Sequence, residues 1–356
     1  MTHAPIPELA KTPTIGFRQI DKARPWLTIL AVEEPENHLA PFYLSRMVNL
    51  LGEQAAGDGV MTLLTTHSAS ALRRVTPEQV RYVRQDLNTL TSSVRVIVLP
   101  PKKSDAYKFI QEAVTSHPEL YFARLVILGE GRSEEVVLPR IARALDPDME
   151  LDPSFVAFVP LGGRHVNHFW RLLSGLQIPY VTLLDYDLGR HGGGARRLRY
   201  AVEQLREVKA EGLNPPAEPK TWDGYDATML ASTRTWLQSR NVFYSAELDL
   251  DMMMLQAFSS VYGVIADVDA TTVVANSFGE TVFGKSGPGI AAYTAGAAPT
   301  DLQQAQYASL FKGGSKPVSH VDALSRLDDA TIKAGAPAPL RALFVRCGEL
   351  LTPETA

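Results

Sequence analysis

The sequence predicts an α/β protein built on parallel sheets, and two observations carry that expectation. Short apolar runs bounded by charged or turn residues recur along the chain: WLTILAV at 26–32, VMTLLT at 60–65, ARLVIL at 123–128, FVAFVPL at 155–161 and YVTLL at 180–184. Between most of them lie stretches with apolar side chains at helical spacing, at 40–56, 133–145, 165–176 and 195–211. Continuous apolar strands alternating with helices are what a parallel sheet covered on both faces requires.

Taken in order, Trp26–Val32 reads as a buried strand. Phe42, Leu44, Met47, Val48, Leu50 and Leu51 lay an apolar stripe along a helix over 40–56. A second buried strand follows at 60–65 and a short helix at 68–74. Residues 80–84 and 93–99 read as a hairpin, which Pro100 and Pro101 end, and a helix is expected near 104–115. A second unit begins near His117. Its strands fall at 123–128, 155–161 and 180–184 and its helices at 133–145, 165–176 and 195–211. The Pro-rich LNPPAEPK at 213–220 reads as loop, 226–240 as helix, 241–248 as a further strand, 275–300 as loop and the C-terminal third as mostly helix.

Composition narrows the function classes. Of 356 residues, 45% are apolar and 21% charged, which excludes wholesale disorder. At roughly 150 residues per domain the length suggests two domains. No apolar run approaches the ~20 residues of a membrane span. The N-terminus lacks a basic-then-apolar leader pattern, so a cytoplasmic location without membrane association is expected. The single cysteine, Cys347, rules out a disulfide framework and a cysteine-rich zinc site. With 35 basic against 39 acidic residues the net charge is −4. A bulk positive field for nucleic acid is therefore absent, which leaves room for a local basic patch beside site carboxylates.

Two constellations carry chemistry. In ILAVEEPENHL at 29–39, an apolar strand ends in Glu33 and Glu34. Carboxylates at such a strand end face the ligand crevice, where one can hold Mg²⁺ and the next can polarise an attacking water. The strand VMTLLT then delivers His67, a residue type that can contact a γ-phosphate. Further on, LVILGEGRSEEVVLPRIARAL at 125–145 is strand, turn and helix. Glu130 follows the strand, Gly129 and Gly131 permit a sharp turn, and Glu134 sits in the first helical turn. Asp185 and Asp187 end the strand of YVTLLDYDLGRHGGG. Two carboxylates so close repel unless a cation lies between them, and oxygen donors suit Mg²⁺ or Mn²⁺.

The N-terminal pair of motifs resembles the back half of an ABC-type ATPase head: Glu33–Glu34 as Walker B, Pro35–Leu39 as the D-loop and His67 as the switch histidine. Residues 1–28 contain no Gly-rich phosphate loop, so ATP hydrolysis by this chain alone is not expected, and ATP is implied only in a full-length context. G-x-x-x-x-G-K-S does occur at Gly279–Ser286, but after Walker B and before GPGI, a poor helix start. The E-G-x-S-E turn followed about fifty residues later by D-x-D resembles a Toprim domain. Together the two halves resemble the OLD (overcoming lysogenization defect) ATP-dependent endonucleases, and the nuclease subunit of the Gabija anti-phage system is similar.

The resemblance implies a partial ABC-type ATPase domain over 1–116, and a Toprim nuclease domain over 117–356 with a helical insertion near 200–240. It implies two Mg²⁺ or Mn²⁺ per site, with Glu130 and Glu134 on one ion and Asp185 and Asp187 on the other. A further acidic residue is expected after the insertion, Glu247, with Ser245 on the same strand face and Asp249 and Asp251 as competing candidates. A late lysine is expected to offset phosphate charge, Lys316 first and Lys312 second. The implied reaction is metal-dependent cleavage of DNA phosphodiester bonds. DNA contacts are expected from Arg190, Arg196, Arg197 and Arg199, with Lys312 beside them. Arg164, His165 and His168 follow another strand and do not make a zinc site. A homodimer through the ATPase part and a helicase or accessory defence partner are also implied. The alternatives from the residues themselves are a silent ATPase-derived scaffold and a phosphohydrolase using Asp185 as nucleophile.

Overall fold

A computed structural model describes residues 26–85, 89–98, 107–108, 115–147, 151, 154–161, 166–208, 213–216, 227–268, 273–274, 277–294 and 296–352. The chain divides into two compact units, Met1–Arg74 and Val75–Ala356. The helix expected at 104–115 falls largely outside the described residues, as do Arg164 and His165.

The smaller unit holds β1 (Thr28–Glu33), α1 (Pro41–Ala55), β2 (Val60–Thr65) and α2 (Ala69–Leu72). The strands pair in parallel, with Glu33 opposite Thr65. Leu44 and Val48 on α1 and Ala71 on α2 are among its buried apolar side chains. Both strands were expected to be buried, but their exposure alternates residue by residue, and Ile29, Met61 and Leu63 on one face are about half exposed. Apolar composition identifies a strand without telling how many of its faces are covered.

The larger unit opens with an antiparallel hairpin, β3 (Arg81–Gln85) and β4 (Ser92–Val96). It continues into β5 (Leu125–Gly129), α3 (Arg132–Leu145), β6 (Val156–Pro160), α4 (Val166–Leu176), β7 (Tyr180–Asp185), α5 (Ala195–Val208), α6 (Ala227–Gln238) and β8 (Val242–Ser245). The four strands form one parallel sheet in the order β6-β5-β7-β8. Each parallel step needs a crossover, which the intervening helices supply. Every residue of β5 is buried, as a strand covered on both faces must be. After β8 come α7 (Leu250–Ala257), α8 (Ser259–Ala266), α9 (Gly279–Phe283), α10 (Asp301–Tyr307), a π-helical turn at Ala308–Gly313, α11 (Lys316–Ser325), α12 (Asp329–Gly335) and α13 (Ala338–Leu351).

One core joins sheet and helices: Leu125, Ile127, Leu138, Ile141, Val181, Leu183, Phe243, Met254, Leu343 and Phe344 are all within it. At about 1.5–3 kcal/mol for each large apolar side chain removed from water, such a core holds the sheet rigid beneath its loops. The strand expected over 241–248 ends at Ser245, and the loop expected over 275–300 contains α9. The G-x-x-x-x-G-K-S string is that short helix followed by a loop, the reverse of the strand, loop and helix order of a phosphate loop. Its Lys285 and Ser286 are exposed.

Candidate metal centre

The sheet order places the C-terminal ends of β5, β7 and β8 side by side, and the acidic residues sit there. Glu130 follows β5, Asp185 ends β7 opposite Ser245 on β8, and Glu134 lies in the first turn of α3. The Asp185 amide donates to Glu130 Oε1 at 3.0 Å, tying two strand ends together. Asp185 Oδ1 accepts from the Ser245 hydroxyl at 2.6 Å and from the Leu250 amide at 3.1 Å. Glu134 Oε2 accepts from the Gly131 amide at 2.9 Å. Gly129 is required by close approach, because a Cβ there would lie 2.7 Å from the Phe158 ring and 3.0 Å from Glu134 Cβ. Gly131 was expected to supply a special turn, but its φ of −165° is extended, and its amide is what the site uses.

The carboxylates strain against one another. Burial, and then the charges of Glu130, Asp249 and Glu134, push the Asp185 carboxyl well above its usual range. Burial likewise raises Glu130, against the pull of Arg197. Glu134 rises to about 7, through burial and the charges of Asp251 and Glu130, against its backbone hydrogen bonds. Clustered carboxylates with raised pKa values are candidate functional sites.

Internal cations offset the rest. Asp187, at a positive φ of 55°, takes Arg190 at 2.7 Å and Arg197 Nε at 2.9 Å. Burial would raise its carboxyl, but the two guanidiniums hold it below the ordinary value. Arg197 also reaches Glu130 at 3.6 Å. Arg190 spans Asp187, Asp249 at 2.8 Å, the Tyr307 hydroxyl at 2.8 Å and the Val282 carbonyl at 3.0 Å. Asp249 caps α7 by accepting from the Met252 amide at 2.9 Å. Asp251 takes Lys316 at 2.6 Å and His320 at 2.9 Å. These two hold its carboxyl well below normal although burial pushes the other way.

The loop after β7 is buttressed from behind. The Gly289 amide donates to the Gly189 carbonyl at 2.9 Å and the Tyr293 hydroxyl to the Leu188 carbonyl at 2.8 Å. A Cβ at Gly287 would sit 2.2 Å from the Gly189 carbonyl oxygen, and one at Gly193 would sit 1.8 Å from that of Asp187. The glycines expected to let DNA approach therefore also let backbone approach backbone.

Several expected residues lie elsewhere. Glu247 is half exposed and pairs with Arg234 at 2.9 Å; its neighbours Asp249 and Asp251 are the ones whose charges act on Asp185 and Glu134. Arg190 and Arg197, expected to face DNA, turn inward to carboxylates, which bind guanidinium more closely than solvent does. Arg196 is exposed, and Arg199 pairs with Glu203 at 3.0 Å. Lys312 lies 5.9 Å from the centroid of the Tyr307 ring. His320, fully buried, was not anticipated, although its place four residues after Lys316 on one helix was readable. His168 lies on α4. In the smaller unit Glu33 is exposed beside Glu34, and His67 Nε2 lies 3.0 Å from Glu34 Oε1. Glu36 Oε1 accepts from the Thr66 hydroxyl at 2.8 Å and the His67 amide at 2.5 Å.

Residues 121–187, which include three of these acidic positions and Asp187 itself, match the family model of the overcoming lysogenization defect protein-like TOPRIM domain. This segment is similar to an OLD-type Toprim domain. Endonuclease GajA of Bacillus cereus strain VD045 is 26% identical over 163 residues, which is 46% of this chain and 27% of that protein. GajA of strain HuB5-5 is 24% identical over 187 residues with the same shares. The match thus spans about a quarter of the length of these curated relatives. Among solved structures, the C-terminal region of the Burkholderia pseudomallei OLD protein has a TM-score of 0.43 at 19% identity, covering 65% of this chain and 100% of that one. The corresponding region from Xanthomonas campestris pv. campestris has 0.43 at 18%, covering 65% and 96%.

Among the described residues no three or more His, Cys, Asp or Glu side chains already stand in an arrangement that holds a metal ion. The donor set at these strand ends nonetheless suits a hard divalent cation. Its donors are carboxylate oxygens, and they are crowded enough to favour protonation when no cation is near. Among the described residues no helix is long and apolar enough to cross a membrane.

Proposed function

We propose that this chain is a divalent-metal-dependent DNA endonuclease whose Toprim domain hydrolyses phosphodiester bonds with two Mg²⁺ or Mn²⁺. The observation that carries this is the meeting of Glu130 and Asp185 at adjoining strand ends, where the Asp185 amide donates to Glu130 at 3.0 Å, with Glu134 in the first turn of the helix that follows. Such a cluster is costly to keep charged without a cation and has an evident use with one. Glu130, Glu134 and Asp185, joined by Asp249 and Asp251, would hold the ions, in place of the expected set with Asp187, which Arg190 and Arg197 engage, and Glu247, which Arg234 engages. Bound cations supply a water of lowered pKa and neutralise charge on the phosphate.

The chain's own residues do the rest. Ser245 and the Leu250 amide fix one oxygen of Asp185. Glu134 keeps Oε1 for the site, since its Oε2 accepts from the Gly131 amide, and Glu130 or Glu134 would assist as the base toward the attacking water. Lys316, paired with Asp251 in this structure, would offset charge on the phosphorane once released. Exposed Arg196 and Lys312 bind backbone phosphates. Residues 1–116 are read as the ABC-type ATPase portion, in which Glu33, Glu34 and His67 belong to an ATP site, and pairing through that portion would give a homodimer. An anti-phage role, a cytoplasmic location and an accessory partner belong to the same reading, and the similarity to endonuclease GajA supports the first of them.

The test is supercoiled plasmid with Mn²⁺ or Mg²⁺ and no ATP. Nicking is expected, falling at least ~100-fold in Asp185→Ala and Glu130→Ala, by analogy with the loss that even supporting residues of metal sites cause. A folded chain that leaves the plasmid intact would contradict the reading. Turnover of nitrophenyl phosphate lost with Asp185→Ala but retained with Glu130→Ala would replace it by the phosphohydrolase.

A further inference from the structure

Asp251 is gripped from one helix by two partners of different character. Lys316 begins α11 and His320 lies one turn later, so both side chains reach the same carboxylate. Lys316 Nζ meets Oδ2 at 2.6 Å and is 42% exposed. His320 Nε2 meets Oδ1 at 2.9 Å and is 0% exposed. On its other side, His320 Nδ1 lies 2.6 Å from the Tyr262 hydroxyl. Its ring stacks on Phe311 with centroids 5.1 Å apart and meets the Tyr262 ring edge-on at 5.7 Å. Tyr262 is itself fully buried in the core.

We propose that His320, braced by Tyr262, is a positioning residue that fixes Asp251 for a divalent cation, and that Lys316 is an exchangeable occupant of the same carboxylate. The inference rests on the function proposed above. The hydrogen bonds are satisfied when the Tyr262 hydroxyl donates to Nδ1 and Nε2–H donates to Oδ1, which sets both the tautomer and the ring plane. A carboxylate oriented by a buried donor on one oxygen presents the other in a fixed direction, here to Lys316, the role supporting residues play around metal ligands. His320 has no route to leave, because Phe311, Tyr262 and Asp251 enclose it. Lys316 swings on a flexible stem with water on one side. A cation on Oδ2 and a cation from solvent compete for one oxygen, so the two partners have opposite effects on metal affinity. Lys316 opposes binding until it is displaced, and His320 supports it.

Isothermal titration of the full chain with MnCl₂, checked by the electron paramagnetic resonance signal of free Mn²⁺, reads this without any cleavage assay. Lys316→Ala is expected to tighten Mn²⁺ binding several-fold while plasmid nicking falls. His320→Ala is expected to weaken binding about 10–100-fold, with partial recovery in His320→Gln, whose amide N–H replaces the Nε2–H. Should His320→Ala fail to fold, Tyr262→Phe decides, since it deletes one hydroxyl and keeps the ring. Weaker Mn²⁺ binding in that variant is expected, and unchanged binding would overturn the proposal. A folded His320→Ala with unaltered affinity, or Lys316→Ala and His320→Ala shifting affinity in the same direction, would overturn it as well. The opposite shifts together with an uncut plasmid would remove the nuclease reading and leave the brace standing. No Mn²⁺ binding by the unsubstituted chain would remove both.

Discussion

Arg190→Ala is expected to destabilise the larger unit by about 3–5 kcal/mol, the cost of stranding a buried charge by deleting its partner. Arg190 uses Nε, Nη1 and Nη2 at once, on Val282, Asp187, Asp249 and Tyr307. These groups belong to the loop after β7, the start of α7, the end of α9 and the end of α10, so one guanidinium pins four segments around the acidic cluster. Without it Asp249, 1% exposed, keeps only neutral donors, and Asp187 keeps Arg197 alone. Arg190→Lys is expected to recover less than half of the loss, because an ammonium is a point charge and cannot serve a planar fork of acceptors. Thermal melts in chelator check both, with a fall of roughly 10 °C expected for the alanine variant at the usual few degrees per kcal/mol. A fall of a degree or less would mean that the ion pairs are surface decoration.

Without metal, stability is expected to fall as pH rises through neutrality. Glu134 titrates at 4.5 in an ordinary setting and at about 7 in the fold, through burial first and then the neighbouring carboxylates. The folded chain therefore holds this proton more tightly than the unfolded chain does. Its contribution is complete below about pH 4.5 and is lost as pH climbs through about 7, amounting to about 3 kcal/mol for a shift of that size. Asp185 and Glu130 shift the same way. Asp187 and Asp251, held low by their cationic partners, act in a separate window. Their stabilisation is present above the ordinary carboxylate range and is lost in stronger acid. A divalent cation takes the deprotonated cluster, so its stabilising effect should grow over the same span in which the metal-free protein weakens. Melting curves across about pH 5 to 8, in chelator and in Mn²⁺, are expected to diverge as pH rises. Glu134→Gln should flatten the chelator curve. Parallel curves, or a slope unchanged in that variant, would contradict the assignment.

Much of this was legible in the sequence because strand ends announce themselves. An apolar run that stops at a carboxylate and a glycine, as at Leu128–Glu130, places that carboxylate on the crevice side of a parallel sheet. Glu130 and Asp185 were readable in that way, and Glu134 from its place in the first turn of the helix after the glycine turn. The third segment was harder. Two-residue alternation from Ser245 points to Glu247, but the strand stops at Ser245 and the chain turns into α7, so the alternation no longer applies. Asp249 ahead of LDMMML is readable as an N-cap before an apolar helix. Arg190 and Arg197 illustrate a different limit: arginines beside an acidic pair look the same in sequence whether they await phosphate or neutralise the pair. The half-bare face of β1 and β2 was hidden for a third reason, since apolar residues mark a strand whether or not something covers them.

The most direct measurement is the anomalous difference map of crystals soaked in MnCl₂ near neutral or mildly alkaline pH, where the raised carboxyls have lost their protons. Mn²⁺ density among Glu130, Glu134 and Asp185, reaching Asp249 and Asp251, is the expected result. Density at the Glu247–Arg234 pair instead, or none beside the strand ends, would contradict the account.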